Sequence, residues 1–143
     1  MGDALRVEHP AVIESLPRLL AFVDDACGAH EVGREDAFAI RLATEEVCMN
    51  LIRYGYAGRP PGPIEIEFAR AADRATVTIR DRAAAFEPNS APPPDLVSDS
   101  ERRRVGGLGW HLVKHMVDEI AYRSDPERGN QLTLVKLLKE RTA

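Results

Sequence analysis

A carboxylate and a carboxamide one helical turn apart, Glu46 and Asn50, are the first candidates for chemistry in this chain. Residues four apart on a helix are neighbours, so both side chains lie on one edge of the same apolar stripe. Their oxygens can hold a hard cation, and the carboxylate can still accept a proton. Glu45 points roughly 100° away and is expected to be solvated. An ordinary amphipathic helix with a polar rim explains the same pattern, and this alternative stays open at this point.

A third candidate, Asp81, stands at the end of a predicted strand. Ala75, Val77 and Ile79 alternate with polar residues, and Asp81 is in phase with this apolar set. It is therefore predicted to point toward the core. A buried carboxylate is unfavourable unless some group donates to it. Asp81 either caps the following loop or accepts a hydrogen bond from a bound ligand.

A glycine cluster, Gly106-Gly107-Leu108-Gly109, opens a predicted helix. Free backbone amides at such a start can bind an anion, although a flexible hinge is the alternative. The cluster is neither a P-loop nor a Rossmann motif. Before it, residues 87–105 lack periodicity and contain four prolines. A long stretch of this kind is typical of a lid or of a disordered segment.

The elements that position these candidates follow from hydrophobic periodicity. The central helix is predicted from about residue 35 to 55, with a buried stripe of Ile40, Ala43, Val47, Leu51 and Tyr54. The other predicted elements are an edge strand at 5–8, a helix from Ser15 to about Gly28, a hairpin at 64–80, a helix from the glycine cluster to Ile120, and a hairpin of strands 121–124 and 131–138. This order predicts one α+β domain over residues 1–143, a mostly antiparallel sheet covered by helices.

Composition excludes several classes of function. The chain has 143 residues, 44% of them hydrophobic and 29% charged, as in a soluble globular protein. A formal net charge of −4 with one basic run, Arg102 to Arg104, argues against nucleic-acid binding. No apolar run approaches the roughly 20 residues of a membrane span, and no signal pattern is present. Cys27 and Cys48 are predicted to be buried free thiols, and the protein is expected to be cytoplasmic.

Taken together, the signals resemble the Bergerat ATP-binding fold of gyrase, Hsp90, histidine kinases and MutL. Within that fold the chain resembles the stand-alone anti-sigma factor serine kinases of the RsbW and SpoIIAB kind. The segments that match are ATEEVCMNLIRYGY, TIRDRAAAFEP, GGLGWHLVKHMVDEIAY and GNQLTLVKLL, which cover most of residues 40–138. The resemblance implies a two-layer α+β sandwich with an ATP lid at about residues 87–107.

The resemblance also implies a role for each candidate residue. Glu46 would be the catalytic base or water organiser, Asn50 a magnesium ligand, and Asp81 the acceptor for the exocyclic amine of adenine. Thr133 would support the adenine contact through water. The implied ATP-binding set is Asn50, Asp81, Ala83, Phe86, Gly106, Gly107, Leu108, Gly109 and Thr133.

One position departs from the family's pattern. The first glycine box usually reads Asp-x-Gly with a looser continuation to Phe, and here Ala83 stands where that glycine is expected, before Phe86. A left-handed backbone at this position would cost alanine on the order of 1 kcal/mol. If the glycine instead leaves room for adenine, the methyl group narrows the pocket. Either effect would weaken nucleotide binding more than it would disturb the fold.

The function implied by the resemblance is a magnesium- and ATP-dependent protein serine kinase of a partner-switching system. Its substrate would be a serine of a STAS-domain anti-anti-sigma protein, its other partner a sigma factor, and its assembly a homodimer. Arg18, on the first helix, resembles an arginine that such kinases use against a protein partner; a solvated arginine is the alternative. The rival functions are a degenerate binding module without catalysis and a detached histidine-kinase catalytic domain, for which the chain lacks a dimerising helix pair.

Overall fold

The computed structural model of the protein describes residues 4–85 and 107–139. Within these residues, five strands form one antiparallel sheet in the order β1-β2-β3-β5-β4. In chain order the elements are β1 (Leu5–Pro10), a 3₁₀ turn (Ile13–Ser15), α1 (Leu16–Ala29), α2 (Arg34–Asn50), a π-helical turn (Leu51–Gly55), β2 (Pro63–Arg70), β3 (Arg74–Asp81), α3 (Gly107–Met116), β4 (Glu119–Asp125) and β5 (Gly129–Leu137). The predicted α+β fold, with β1 as an edge strand, is confirmed.

The period-two alternation of the strands separates an inner face from an outer face. The inner positions, which pack against the helices, are Ile64, Ile66, Phe68, Ala75, Val77, Ile79, Leu132 and Leu134, all buried. On the outer face, Arg80 donates to Glu67 at 2.8 Å and to Gln131 at 3.1 Å. Side chains at alternate positions of a strand point to opposite faces of the sheet, so the position of a residue within this alternation decides whether it faces the helices.

The first two helices follow the predicted boundaries closely. α1 begins directly after Ser15 with proline in its first turn, and it buries Leu19, Val23 and Cys27. Cys27 and Cys48 are free and buried, as predicted. Burial raises the pKa of Cys27 to about 11 and that of Cys48 to about 12. Both thiols therefore stay protonated and unreactive at neutral pH.

Two details differ from the sequence prediction. Tyr54 is 40% exposed because the central helix ends in a π-helical turn, whose wider hydrogen-bond spacing turns later residues away from the buried stripe. Ile120 belongs to β4 and not to the preceding helix. The amide of Val117 still bonds to Val113, but that of Asp118 already bonds to Val135 of β5. Pairing with β5 thus ends the helix earlier than its apolar pattern suggests.

The described residues contain no helix that is both long enough and apolar enough to cross a membrane. The predicted lid, apart from Gly107 at its end, lies outside the described residues, as do Phe86 and Gly106.

Candidate functional site

A cavity of about 300 Å³ lies where the C-terminal part of α2 meets the end of β3, the start of β5 and the start of α3. The aliphatic and indole groups that line it are those of Val47, Leu51, Ala84, Ala85, Trp110 and Leu132. Three residues bring amide or carboxyl groups to the wall: Asn50, Asp81 and Asn130. An apolar cavity with a few fixed polar groups is the usual form of a small-molecule site, and a flat heterocycle suits it.

Asp81 occupies the end of β3 and is 8% exposed, as its strand parity predicted. Its Oδ1 atom accepts hydrogen bonds from the amide of Ala83 at 2.8 Å and from Nδ2 of Asn130 at 2.7 Å. Burial raises the pKa of Asp81, and these two bonds and the charge of Arg59 partly oppose that rise. The loop-capping interpretation is therefore confirmed. The ligand-binding interpretation is compatible with it, since Asp81 also lines the cavity.

Asn130 is a site residue that the sequence reasoning did not single out. It is 5% exposed and lies directly opposite Asp81 in the register of β3 and β5. Its Nδ2 atom also donates to the carbonyl of Ala83 at 2.8 Å, and its Oδ1 accepts from Ser124 Oγ at 2.6 Å. A signal for it was present, because Asn130 shares strand parity with Leu132 and follows a glycine-containing turn.

Thr133 does not lie at this site, and its predicted adenine contact is wrong. It is paired with Thr78 in β3 and Ala121 in β4, on the outer face of the sheet. The buried neighbours Leu132 and Leu134 point to the helix side. A one-residue difference in parity moves a strand side chain to the other face, so Thr133 cannot reach the cavity that Asn130 lines.

Glu46 and Asn50 lie one turn apart near the end of α2, as the spacing predicted. Asn50 lines the cavity, whereas Glu46 is half-buried beside it. Burial raises the pKa of Glu46; the neighbouring charge of Glu45 adds to the rise, and Arg53 opposes it. Glu45 itself is half-buried and not fully solvated as expected. The helix edge thus presents an amide oxygen to the cavity and a carboxyl group poised to take up a proton.

The chemistry of these donors fits Mg²⁺ held together with phosphate oxygens. No cluster of three or more His, Cys, Asp or Glu side chains in residues 4–85 and 107–139 could hold a metal ion without help. Mg²⁺ commonly uses one or two protein oxygens and completes its shell with water and substrate phosphates. The side-chain oxygen of Asn50 suits that arrangement.

Ala83, the departure from the family's glycine, causes neither of the expected difficulties. Among the described non-glycine residues only Glu31 has a positive φ, so Ala83 does not need a left-handed backbone. Ala83 is 9% exposed and does not line the cavity, whereas Ala84 and Ala85 do. Its methyl group lies instead beside Gly55, 3.1 Å from where a Cβ on that glycine would stand. The methyl therefore fills space behind the cavity wall.

The remaining predicted residues fall at the helices. Gly107, Leu108 and Gly109 form the first turn of α3, so the prediction that the glycine cluster opens a helix is confirmed for these three. Their role toward phosphates stays a prediction. Trp110 follows them, is buried and lines the cavity, a contribution that the sequence reasoning missed.

Arg18 is exposed on α1, which contributes no residue to the cavity wall in the described part of the chain.

Comparison with known proteins gives consistent results. The serine-protein kinase RsbW of Listeria monocytogenes is 26% identical over 148 residues, covering 99% of this chain and 91% of its own length. The anti-sigma F factor of Oceanobacillus iheyensis is 28% identical over 102 residues, 71% of this chain and 69% of its own. The serine/threonine-protein kinase BtrW of Bordetella bronchiseptica is 25% identical over 97 residues, 68% of either chain.

A solved structure of the RsbU and RsbW domains of a Mycobacterium tuberculosis protein shares the fold, with a TM-score of 0.68 and 19% identity. It covers 98% of this chain and 34% of that longer one. The resemblance to the RsbW and SpoIIAB kinases is thereby confirmed, and the predicted enzyme class agrees with the names of these relatives. Because the model for the histidine kinase-like ATPase domain matches residues 9–136, this chain belongs to that family.

Proposed function

We propose that this protein is an ATP-dependent protein serine kinase that also acts as an anti-sigma factor in a partner-switching system. The observation that carries the proposal is the apolar cavity, which has a buried carboxylate, Asp81, in its wall and an amide, Asn50, from the helix that holds Glu46. A nucleotide needs such an arrangement, with an acceptor for its base and an oxygen ligand near its phosphates. The names of the relatives support the kinase and anti-sigma parts of the proposal.

The residues divide the work of phosphoryl transfer, which depends mainly on positioning and charge neutralisation. Asp81 accepts from the exocyclic amine of adenine, while Leu51 and Leu132 of the cavity wall offer apolar contact to the ring. Asn50 would hold Mg²⁺, which would supply positive charge against the phosphates. Glu46 accepts the proton of the substrate serine. A carboxylate with a raised pKa is the stronger base, so the half-buried position of Glu46 suits this role.

The proposed partners are a STAS-domain anti-anti-sigma protein, which supplies the serine, and a sigma factor, which is released when the antagonist competes for the kinase. Arg18 on the exposed side of α1 is the proposed partner contact. The proposal includes a homodimer in the cytoplasm. The name of one relative, an anti-sigma factor, supports the sigma-factor part of the proposal; the homodimer and the cytoplasmic location rest on the resemblance alone.

Two substitutions on one helix edge test the proposal. Glu46→Gln keeps the shape but removes the basic oxygen, and should lower phosphate transfer to a STAS partner by roughly 100-fold or more. It should leave ATP binding within a few-fold. Asn50→Ala removes the metal ligand, so Mg²⁺-dependent ATP binding itself should fall, while Mg²⁺-free binding changes less. Transfer is measured with radiolabelled ATP and binding by calorimetric titration.

The rival function is a binding module that regulates a partner without catalysis. Nucleotide binding weakened by Ala83 would favour this module, but the methyl group of Ala83 lies behind the cavity wall and does not narrow the cavity. If wild type binds Mg²⁺-ATP but transfers no phosphate to any STAS partner encoded nearby, the kinase proposal fails and the binding module replaces it.

A further inference from the structure

The hydrogen bonds around Asp81 use one carboxylate oxygen and spare the other. Both bonds from the protein, from the amide of Ala83 and from Nδ2 of Asn130, end on Oδ1. In residues 4–85 and 107–139, no hydrogen bond ends on Oδ2. Since Asp81 lines the cavity, Oδ2 is the oxygen left for a ligand.

The orientation of the Asn130 amide is fixed by its partners. One end of the amide contacts the carbonyl of Ala83 at 2.8 Å and Oδ1 of Asp81 at 2.7 Å. A carbonyl can only accept, so this end must be the NH₂ group. The other end accepts from the hydroxyl of Ser124 at 2.6 Å. A chain of donors thus runs from Ser124 through Asn130 to Asp81.

The backbone brings Asn130 close enough to make this chain. Gly129, just before it, has a φ of +86°, and a Cβ there would lie 2.5 Å from the carbonyl oxygen of Asp81. Glycine therefore lets the start of β5 approach the end of β3. Asn130 is consequently paired with Asp81 on one side and with Ser124 of β4 on the other.

We propose that Asn130 is a positioning residue for nucleobase selection: its amide holds Oδ1 of Asp81 so that Oδ2 faces the base. The inference rests on the proposed ATP site. An ionised Oδ2 accepts from an amino group on C6 of a purine but repels a carbonyl oxygen at the same place. Without Asn130, Oδ1 of Asp81 loses one of its two donors and is held by the amide of Ala83 alone, so the carboxylate group can turn more easily. Selection between an amino group and a carbonyl should weaken accordingly.

The test compares the binding of ATP and ITP, which differ at C6, an amino group in ATP and a carbonyl in ITP. The ratio of the two dissociation constants is measured by calorimetric titration for each variant. Asn130→Ala should lower the preference for ATP by about tenfold, the scale of one lost hydrogen bond to a charged group. Asn130→Ser keeps one donor and should recover part of it. Gln131→Ala, the outward-facing neighbour in β5, should leave the ratio unchanged.

The ratio is insensitive to a fraction of unfolded protein, because both ligands are measured on the same sample. An unchanged ratio in Asn130→Ala, with ATP still bound, overturns the positioning role and leaves the proposed function standing. A ratio that falls equally in Gln131→Ala also overturns it, since the effect then comes from the strand and not from the amide. If wild type binds neither nucleotide, the proposed function and this inference fail together.

Discussion

At the scale of single residues, the buried carboxylate of Asp81 suits ligand binding but lowers the stability of the fold. Burial raises its pKa despite two hydrogen bonds and a nearby arginine. A carboxyl group with a higher pKa in the folded protein binds protons more tightly there than in the unfolded chain. Its contribution to folding is therefore most favourable below the unfolded pKa and is lost as the pH rises through the folded pKa. Above its folded pKa the ionised, buried carboxylate destabilises the fold, as is common at binding sites.

The first prediction is that Asp81→Asn weakens ATP binding without weakening the fold. An asparagine oxygen can still accept from Ala83 and Asn130, and no buried charge remains. The free energy of unfolding at pH 7 should equal or exceed that of wild type, and it should depend less on pH above about 4, the ordinary pKa of an aspartate in the unfolded chain. ATP binding should weaken by about 1–3 kcal/mol. Urea unfolding across pH and calorimetric titration measure the two effects.

Asp25→Asn, at an exposed position on α1, is the control and should change neither quantity. A large loss of stability in Asp81→Asn would mean that the carboxylate is structural. Unaltered ATP affinity would remove its role toward adenine.

The second prediction concerns the charges around Glu46. If Glu46 is the base, phosphate transfer should fall as the pH drops through its raised pKa. Glu45→Gln removes a like charge that raises this pKa, so the midpoint should move to lower pH. Arg53→Gln removes a charge that lowers it, so the midpoint should move to higher pH. The rate of transfer is measured from pH 4 to pH 8; equal midpoints in all three proteins would exclude Glu46 as the titrating base.

The residue-level predictions show where sequence reasoning works and where it does not. The inward position of Asp81 followed from its strand parity alone. Thr133 was assigned by resemblance, although it alternates with the inward-facing Leu132 and Leu134 and so had to lie on the other face of the sheet. Asn130 was missed because it stands where a turn passes into β5, and strand boundaries are the least certain part of a sequence-based assignment.

At the scale of elements, the methyl of Ala83 and the missing side chain of Gly55 complement each other. The third prediction is therefore that the effect of Gly55→Ala depends on residue 83. An added Cβ would meet Ala83 Cβ and Leu51 Cδ2, each at 3.1 Å. Gly55→Ala should be less favourable in wild type than in the Ala83→Gly background, with a coupling of about 0.5–1 kcal/mol. A double-mutant cycle of urea unfolding measures this coupling.

Gly28→Ala in α1 is the matched control for that cycle. Nothing lies within 4 Å of a Cβ added there, so this substitution should stabilise the protein by about 0.5–1 kcal/mol. Its effect should be the same in either background at position 83. Additivity between Gly55→Ala and Ala83→Gly would contradict the proposed complementarity.

The elements themselves were largely predictable, since periodicity located the strands and helices to within a few residues. The π-helical turn at Leu51–Gly55 could not be predicted, because the sequence keeps the 3.6-residue apolar pattern of an α-helix through this segment. Its presence leaves Tyr54 on the cavity wall and partly exposed. The end of α3 was predicted too late in the sequence. The apolar pattern continues to Ile120, but the pairing of Asp118 with β5 ends the helix earlier.

At the scale of the whole molecule, the site depends on contacts between distant parts of the chain. Asp81 and Asn130 are 49 positions apart in the sequence. They meet because β5 lies between β3 and β4 in the sheet and pairs with β3. Two successive hairpins are readable in the sequence, but the order in which they join is not. The fold class could therefore be predicted from the elements, whereas the partner of Asp81 required the sheet topology.

The last prediction separates the nucleotide site from the proposed partner surface. Arg18 is exposed on α1, and the described lining of the cavity comes from α2, α3 and the sheet side of the molecule. Arg18→Glu reverses a charge away from the cavity, so ATP affinity should stay within about twofold of wild type. Binding to a STAS or sigma partner should weaken by about tenfold or more, because charge reversal at an interface juxtaposes like charges or removes an ion pair. Arg34→Glu, an equal charge change at an exposed position on α2, is the control for net charge. Equal losses of partner binding in both variants would assign the effect to overall charge, and a loss of ATP affinity in Arg18→Glu would contradict the separation of the two sites.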